Sequence, residues 1–404
     1  MLSVFEIFVA INITAQKKAP TMPPSNTAAW LTKPKTPLAV SSAPYTPPGR
    51  GQIVIRARAV GVNFCDWAKQ DIGGMLFPWA KLPYIMGEDV AGEVVEVGPG
   101  GDGEVPFKVG DRVLGHCLGL DKISAGSSEG AFQEHVVLRA GLVARIPDEV
   151  AFERACVLPA CLSTAATGLF CEKHLGLDLP SVDNYDAGRA NKAGKVLVVW
   201  GASTAVGMNC VQLAVGAGYQ VVATAGRHNF DYVRSLGAAS VFDYRDTNCA
   251  LDVIKATQHI GSGCAGAVAI GVDSIKPCID IVAECCKGKD KGYVAQMSLN
   301  GPPPPEPGVL NLVTWLARAG YAWFSTLVKK NLKGVKVEFV WGSDLYDGPV
   351  AEVVYGSFLP AALVQGSFVP APEPLVVGHG LDKVQEAFEV GRKGVSAKKL
   401  VVTV

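Results

Sequence analysis

The sequence lacks an excess of charge of either sign, because its 37 lysine and arginine residues match 37 aspartate and glutamate residues. It also lacks a long basic run and a basic stripe interleaved with aromatic residues. Nucleic acid is therefore not an expected partner, since its phosphates attract a strongly basic face.

Paired cysteine motifs and long apolar runs are lacking as well. The eleven cysteines are scattered and odd in number, and no two stand in a C-x-x-C pair, which favours reduced thiols in the cytoplasm over a disulfide scaffold. The apolar residues 2–13 are interrupted by Glu6 and fall short of the roughly 20 residues of a spanning helix. We expect no membrane anchor and a disordered extension over residues 1–21, with Met22 as an alternative start.

Two kinds of pattern divide the rest of the chain. From Gly51, short strand-like runs are separated by glycine, which is typical of a β-rich domain. From Val196, apolar strand-like runs alternate with helical segments, which predicts a doubly wound parallel sheet. The fold class is therefore α/β, with a β-rich domain and a doubly wound domain.

The segment Val196–Gly207 (VLVVWGASTAVG) predicts a buried strand, a tight turn of small residues and the start of a helix. A helix N-terminus presents unpaired N–H groups and partial positive charge, so this pattern favours a dinucleotide pyrophosphate. Ala202 and Thr204 replace the first two glycines of the usual G-x-G-x-x-G pattern. The Ser203 and Thr204 hydroxyls either contact the pyrophosphate or cap the helix. The expected contacts are Ser203, Thr204, Ala205, Val206 and Gly207.

The end of the second predicted strand indicates which dinucleotide binds. NAD enzymes usually carry an acidic residue there, but this chain has Thr224, Ala225, Gly226 and Arg227. A guanidinium can form charge-assisted hydrogen bonds to a 2′-phosphate, so we predict NADPH. The alternative is that Arg227 is merely solvated.

Several motifs together resemble the medium-chain dehydrogenase/reductase superfamily. They are GVNFCDW (61–67), GEDVAGEVVEVG (87–98), FKVGDRVLG (107–115), GAFQEHVV (130–137), LPACLSTA (158–165) and the nucleotide segment. The block at 226–245 looks most like the zinc-independent fungal enoyl reductases, including the trans-acting partners of polyketide synthases. The resemblance implies a GroES-like catalytic domain over 22–166, completed by 341–404, and a Rossmann NADP-binding domain over 167–340, with the active site between them.

The same resemblance implies roles for individual residues. Cys65 and Thr164 should approach the nicotinamide, and Thr164 is also a candidate for holding the substrate. Tyr244 should lie near the adenosine 2′-phosphate, with simple core packing as its alternative. The other residues expected near that phosphate are Gly226, Arg227, His228 and Asn229.

The zinc alcohol dehydrogenases of this superfamily hold catalytic zinc with a cysteine, a His-Glu pair and a second cysteine. The corresponding positions here carry Asn63, Glu88-Asp89 and Ala160. Because no imidazole or thiolate stands there, we predict that no metal is bound.

Together these expectations predict an NADPH-dependent oxidoreductase that transfers a hydride to an activated C=C bond of an enoyl thioester or an enone. Lys69 is a candidate proton donor, although it stands one position later than the lysine of the related N-P-x-D-W-K pattern; water and a solvated surface lysine are the alternatives. The substrate is a small molecule or is tethered to a carrier protein of a polyketide synthase. The alternatives are a quinone oxidoreductase and a non-catalytic NADPH-binding partner protein, and the chain is expected to be a monomer or a homodimer.

Overall fold

The structure, a computed structural model, describes residues 24–75, 77–100, 105–186, 194–286, 292–298, 309–346 and 348–404. The predicted extension over residues 1–21 lies outside these ranges. Within them, no helix is both long enough and apolar enough to cross a membrane.

The strands fall into an N-terminal group, a central group and a C-terminal pair. In chain order they are β1 (Asn26–Leu31), β2 (Ala39–Ala43), β3 (Gln52–Val62), β4 (Tyr84–Ile85), β5 (Asp89–Val97), β6 (Arg112–His116), β7 (His135–Arg139), β8 (Val143–Arg145), β9 (Lys195–Trp200), β10 (Gln220–Ala225), β11 (Ser240–Asp243), β12 (Gly263–Ala269), β13 (Tyr293–Gln296), β14 (Lys336–Phe339), β15 (Glu373–His379) and β16 (Lys398–Thr403).

The helices lie mostly in the second half of the chain. They are α1 (Phe64–Ile72), α2 (Phe152–Ala155), α3 (Pro159–Phe170), α4 (Asp183–Asp186), α5 (Ala205–Gly216), α6 (Phe230–Ser235), α7 (Cys249–Ile260), α8 (Ile275–Cys285), α9 (Val309–Lys333), α10 (Pro349–Ala351), a π-helical segment (Glu352–Phe358), α11 (Leu359–Gln365) and α12 (Lys383–Lys393).

The central strands form the predicted parallel sheet. Within the described residues its order is β11-β10-β9-β12-β13-β14, and the pairings are parallel. This is the 3-2-1-4-5-6 order of dinucleotide-binding folds, in which ligands bind at the carboxyl ends of the strands. The predicted fold class is confirmed.

Strands β1, β2 and β4 form a small sheet of their own, and the other N-terminal strands form a second large sheet that the end of the chain completes. Its order is β15-β16-β3-β5-β6-β8, and β7 pairs with β3. Strand β16 lies antiparallel to β3, with Leu400 opposite Val62 and Thr403 opposite Ala59. The C-terminal segment therefore contributes two strands to the N-terminal sheet. The domain limits 22–166, 341–404 and 167–340 stay predictions.

The hydrophobic core continues from one sheet to the other through α3. This helix is buried along nearly its whole length, and its apolar residues join a cluster that includes Leu197 and Val199 of β9 and Ala59 of β3. Because α3 packs against both α5 and β6, it connects the two large sheets.

Candidate active site

A cleft of about 210 Å³ lies between the two sheets. Its walls combine aromatic and apolar side chains with a few polar groups. They are Phe64, Cys65, Phe77, Glu88, His116, Leu118, Asp121, Ala160, Thr164, Met297, Ser298, Phe339, Val340, Trp341, Gly342 and Ser343. Met297 and Ser298 directly follow β13, so the cleft opens at the carboxyl edge of the parallel sheet, where a cofactor is expected.

The predicted nucleotide turn lies at the same edge, because it follows the parallel strand β9. Gly201 has φ +87°, a left-handed conformation that side chains disfavour. A Cβ on Gly207 would lie 2.3 Å from the carbonyl oxygen of Gly201, so this glycine lets α5 pack closely against the turn. Both observations match the glycine roles of a dinucleotide-binding turn.

Thr204 performs the capping role that was one of the two sequence interpretations. Its Oγ1 accepts a hydrogen bond from the Gly207 N–H at 3.0 Å and donates one to the Gly201 carbonyl at 2.8 Å. The hydroxyl therefore stabilises the start of α5. Contact of Ser203, Thr204, Ala205 and Val206 with a pyrophosphate stays a prediction.

The turn after β10 is formed by Gly226, Arg227, His228 and Asn229. Their contact with an adenosine 2′-phosphate stays a prediction. The Arg227 side chain is 72% exposed and pairs with Asp243 at 3.2 Å and Asp246 at 3.1 Å. The sequence predicted no acid at the end of β10, and indeed these carboxylates come from the end of β11 and the loop after it. A bound 2′-phosphate would share the guanidinium with them.

Sequence reasoning missed two residues beside this turn. The Arg245 guanidinium reaches Gly226, since a Cβ on that glycine would lie 2.9 Å from Arg245 Nη1, and it also stacks 4.6 Å from the ring centre of Tyr244. Ser396 Oγ lies 2.9 Å from His228 Nε2 and accepts from Asn229 Nδ2 at 3.2 Å. Tyr244 is 44% exposed, so its alternative assignment to core packing is wrong. Arg245 stood inside the quoted motif, whereas nothing in the sequence linked Ser396 to position 228.

A buried ion pair lies beneath the cleft. Lys399 Nζ lies 2.7 Å from Asp89 Oδ2, and the two side chains are 5% and 0% exposed. Burial alone would lower the pKa of Lys399, but the Asp89 carboxylate reverses that effect and raises it. Asp89 also accepts hydrogen bonds from the Ala160 N–H at 2.6 Å and from Asn63 Nδ2 at 2.8 Å. The ammonium of Lys399 in turn donates to Asn63 Oδ1 and contacts Cys161 Sγ at 3.5 Å.

The residues hydrogen-bonded around the Lys399–Asp89 pair include three of the four positions that correspond to zinc ligands in the related alcohol dehydrogenases. Here Asn63, Asp89 and Ala160 bind one another and an ammonium group. Across the described ranges, no cluster of three or more His, Cys, Asp or Glu side chains is placed to hold a metal ion. The absence of metal stays a prediction that chelation can test.

A chain of hydrogen bonds fixes the protonation of His116. The carbonyl of Pro159 can only accept, so Tyr355 Oη donates to it at 2.9 Å. Ser163 Oγ must then donate to Tyr355 at 2.7 Å, and His116 Nδ1 must donate to Ser163 at 2.9 Å. Burial lowers the pKa of His116 to about 4, so the ring is neutral near pH 7. With Nδ1 protonated, Nε2 is a hydrogen-bond acceptor.

The candidate residues Cys65 and Thr164 both line the cleft, whereas Lys69 is not among its lining residues. Thr164 Oγ1 donates to the Ala160 carbonyl at 2.8 Å. Lys69 is only 1% exposed, and its Nζ donates to the Phe77 carbonyl at 2.7 Å. The alternative of a solvated surface lysine is therefore wrong, and the ammonium holds the Phe77 backbone behind the cleft wall. Its role as a proton donor stays a prediction.

Comparison with known proteins relates this chain to oxidoreductases. A family model described as the Alcohol dehydrogenase GroES-like domain matches residues 49–148. The dehydrogenase pigH of Monascus ruber is 42% identical over 381 residues, which cover 94% of this chain and 100% of pigH. The trans-enoyl reductase himH of Aspergillus japonicus is 36% identical over 388 residues, which cover 94% of this chain and 97% of himH. The solved CurK enoyl reductase has a TM-score of 0.66 at 17% identity, with 94% of this chain and 99% of CurK covered, which shows a shared fold.

Proposed function

Because the chain belongs to the medium-chain dehydrogenase/reductase superfamily, we propose that it is an NADPH-dependent reductase of activated C=C bonds, with an enoyl thioester or an enone as acceptor. The observation that carries the proposal is the common edge: the nucleotide turn after β9 and the cleft beside β13 lie at the carboxyl ends of strands in one parallel sheet. A dinucleotide held at the turn can therefore reach the cleft.

The residues around the turn fit an NADPH molecule. Gly201 takes a left-handed conformation and Gly207 lets the start of α5 approach the turn closely, so the N–H groups of α5 are available to a pyrophosphate. Arg227 and Arg245 supply two guanidinium groups at the adenosine end, where a 2′-phosphate would lie. When bound, the dihydronicotinamide supplies a hydride to the β-carbon of the acceptor.

The cleft has polar groups that can position an acceptor and aromatic side chains that form its wall. Ser298 Oγ accepts from the Gly271 N–H at 2.8 Å, which leaves the Ser298 hydroxyl proton to donate to an acceptor carbonyl as negative charge collects there. Phe64, Phe77 and Trp341 give the cleft an aromatic wall against which an acyl chain can pack. The relative himH is named a trans-enoyl reductase, which favours an enoyl acceptor, and the family resemblance adds an acyl chain tethered to a carrier protein of a polyketide synthase as a candidate.

The test is NADPH oxidation by purified protein treated with EDTA. We expect saturation of an enoyl thioester or an enone, faster with NADPH than with NADH, and no loss of rate after chelation. Turnover of quinones alone would favour a quinone oxidoreductase. Tight NADPH binding without turnover of any acceptor would contradict the proposal and favour a non-catalytic partner protein. A rate that chelation abolishes and zinc restores would contradict the prediction that no metal is bound.

A further inference from the structure

Reduction of a C=C bond needs a proton as well as a hydride, and the cleft contains few groups that can supply one. Among the described residues, the ionisable side chains lining the cleft are Cys65, Glu88, His116 and Asp121. Their hydrogen bonds and burial differ, and these differences show which of the four side chains can donate a proton.

Asp121 and His116 are poor proton donors in this arrangement. Burial works against the Asp121 carboxylate, but hydrogen bonds from Ser343, from the Ile123 N–H and from Trp341 outweigh it and lower the pKa of Asp121, so it carries no proton near neutrality. The neutral ring of His116 donates its Nδ1 proton in the hydrogen bond to Ser163. Neither group can deliver a proton into the cleft near pH 7.

The thiol proton of Cys65 is already used in a hydrogen bond. Its Sγ donates to Glu88 Oε2 at 2.8 Å, and burial together with nearby carboxylates raises the pKa of the thiol. A thiol of raised pKa gives up its proton reluctantly. Cys65 therefore orients the Glu88 carboxyl and leaves the other oxygen of that group, Oε1, to carry a proton.

We propose that Glu88 is the acid that protonates the α-carbon of the reduced acceptor, an assignment that rests on the proposed function. Glu88 is half-buried and directly precedes β5, and it lines the same cleft as Thr164 and Ser298. It contacts the side chain predicted to approach the nicotinamide, Cys65. Hydride source, acceptor and acid would thus meet in one cleft.

The electrostatic surroundings of Glu88 suit this role. Burial raises its pKa to about 7, the Cys65 hydrogen bond opposes that shift, and the carboxylate of Asp89 adds to it. Among more distant groups, Lys399 lowers this pKa and Asp121 raises it. The other ionisable groups of this region are Asp66 on α1 and His116 on β6. An acid with a pKa near the working pH can both give and regain a proton.

Reduction of the acceptor adds a hydride at one carbon and a proton at the other. A hydride forms the new C–H bond at the β-carbon, and the electron pair of the C=C bond moves toward the carbonyl to give an enolate. That electron pair then forms the C–H bond at the α-carbon with the proton of Glu88, whose O–H bond breaks. The carboxylate regains a proton from water, and the net products are the saturated acceptor and the oxidised cofactor.

The first test compares wild type with Glu88→Gln, and uses Glu149→Gln, a change at an exposed glutamate, as control. With an enone or enoyl thioester, we expect the Glu88 variant to lose about 100-fold or more in kcat, in the range of a general acid. The wild-type kcat should fall as pH rises above about 7, because Glu88 then loses its proton, and the residual rate of the variant should lack this fall. A variant that keeps the wild-type rate and pH profile overturns the proposal.

A nitroalkene separates the acid from the hydride step. Its reduction gives a nitronate that is stable without protonation, so Glu88→Gln should oxidise NADPH with β-nitrostyrene at a rate within a few-fold of wild type. Loss of both reactions in a variant that still binds NADPH would contradict a role limited to protonation. Wild type that reduces none of the three acceptors would refute the proposed function itself, and this assignment with it.

A measurement on the protein without cofactor does not depend on turnover. Infrared difference spectra across a pH titration should show a protonated carboxyl band that disappears with a midpoint near 7 in wild type and in Glu149→Gln, and that is missing in Glu88→Gln. A midpoint near the ordinary glutamate value of about 4.3 would overturn the assignment.

Discussion

Arg227 and Arg245 face the same turn after β10, yet both also contact acidic residues. Arg227 pairs with Asp243 and Asp246, and Arg245 Nη1 lies 3.6 Å from Asp243. In the proposed NADPH site, these carboxylates would hold the guanidinium groups in place for a 2′-phosphate and would also compete with it. At the scale of single residues, the proposed preference for NADPH therefore depends on two arginines.

Removal of either arginine should weaken NADPH binding selectively. We expect Arg227→Ala and Arg245→Ala each to raise the Kd for NADPH about 10-fold, equivalent to about 1.4 kcal/mol, because a charge-assisted contact to the 2′-phosphate is lost. The Kd for NADH, which lacks that phosphate, should change little. Fluorescence titration measures both constants, and Arg234→Ala, at an exposed arginine paired with Asp231, is the control. Equal weakening for both cofactors would contradict the phosphate contact.

His116 should make the stability of the fold sensitive to acid. Burial lowers its pKa from 6.5 to about 4, so the folded state binds its proton less readily than the unfolded state. The resulting stability is complete above pH 6.5 and is lost as pH falls through 4. Between pH 7 and pH 4.5, the free energy of unfolding should fall less in His116→Gln than in wild type. Denaturant unfolding measures it; His259→Gln, at an exposed histidine, should behave like wild type.

At the scale of elements, the proposed nucleotide site depends on the contact between the turn after β9 and α5. A Cβ on Gly207 would meet backbone atoms of Gly201 and Ala202 at 2.3 and 2.7 Å, which flexible side chains cannot relieve. The helix would have to move away from the strand, and the N–H groups at its start would move with it.

Gly207→Ala should therefore destabilise the fold by roughly 1–3 kcal/mol, as overpacking does, and should abolish measurable NADPH binding. Gly320→Ala is the matched control, since a Cβ there meets nothing within 4 Å. That change should stabilise α9 by about 0.5–1 kcal/mol. Thermal unfolding and cofactor titration report the two effects, and unchanged NADPH affinity in Gly207→Ala would contradict the assigned turn.

At the scale of the whole molecule, one ion pair joins distant parts of the chain. Lys399 lies on the last strand and Asp89 at the start of β5, and Asp89 also accepts hydrogen bonds from Asn63 and Ala160. The pair thus connects the C-terminal strand with the starts of α1 and α3, around which the cleft is built. Breaking it should affect the entire fold.

Lys399→Met should lower the free energy of unfolding by about 3–5 kcal/mol, because it leaves the buried Asp89 carboxylate without its partner. The double variant Lys399→Met/Asp89→Asn removes both charges and should recover much of this loss. Chemical denaturation of the two single variants and the double variant gives the coupling free energy. Additive losses would show that the two charges do not stabilise each other.

The amino-acid sequence alone predicted the parallel sheet, the tight turn of small residues after β9 and the turn after β10, and its motifs pointed to Thr164, which lines the cleft. These features follow from local periodicity, small residues and matched motifs, which neighbours in the chain encode. The pairing of Lys399 with Asp89, the contact of Ser396 with His228 and the burial of Lys69 behind Phe77 became visible in the three-dimensional fold. It also decided the surroundings of Glu88. Such contacts join residues far apart in the chain, and burial and pKa depend on everything packed around a group, so no local pattern specifies them.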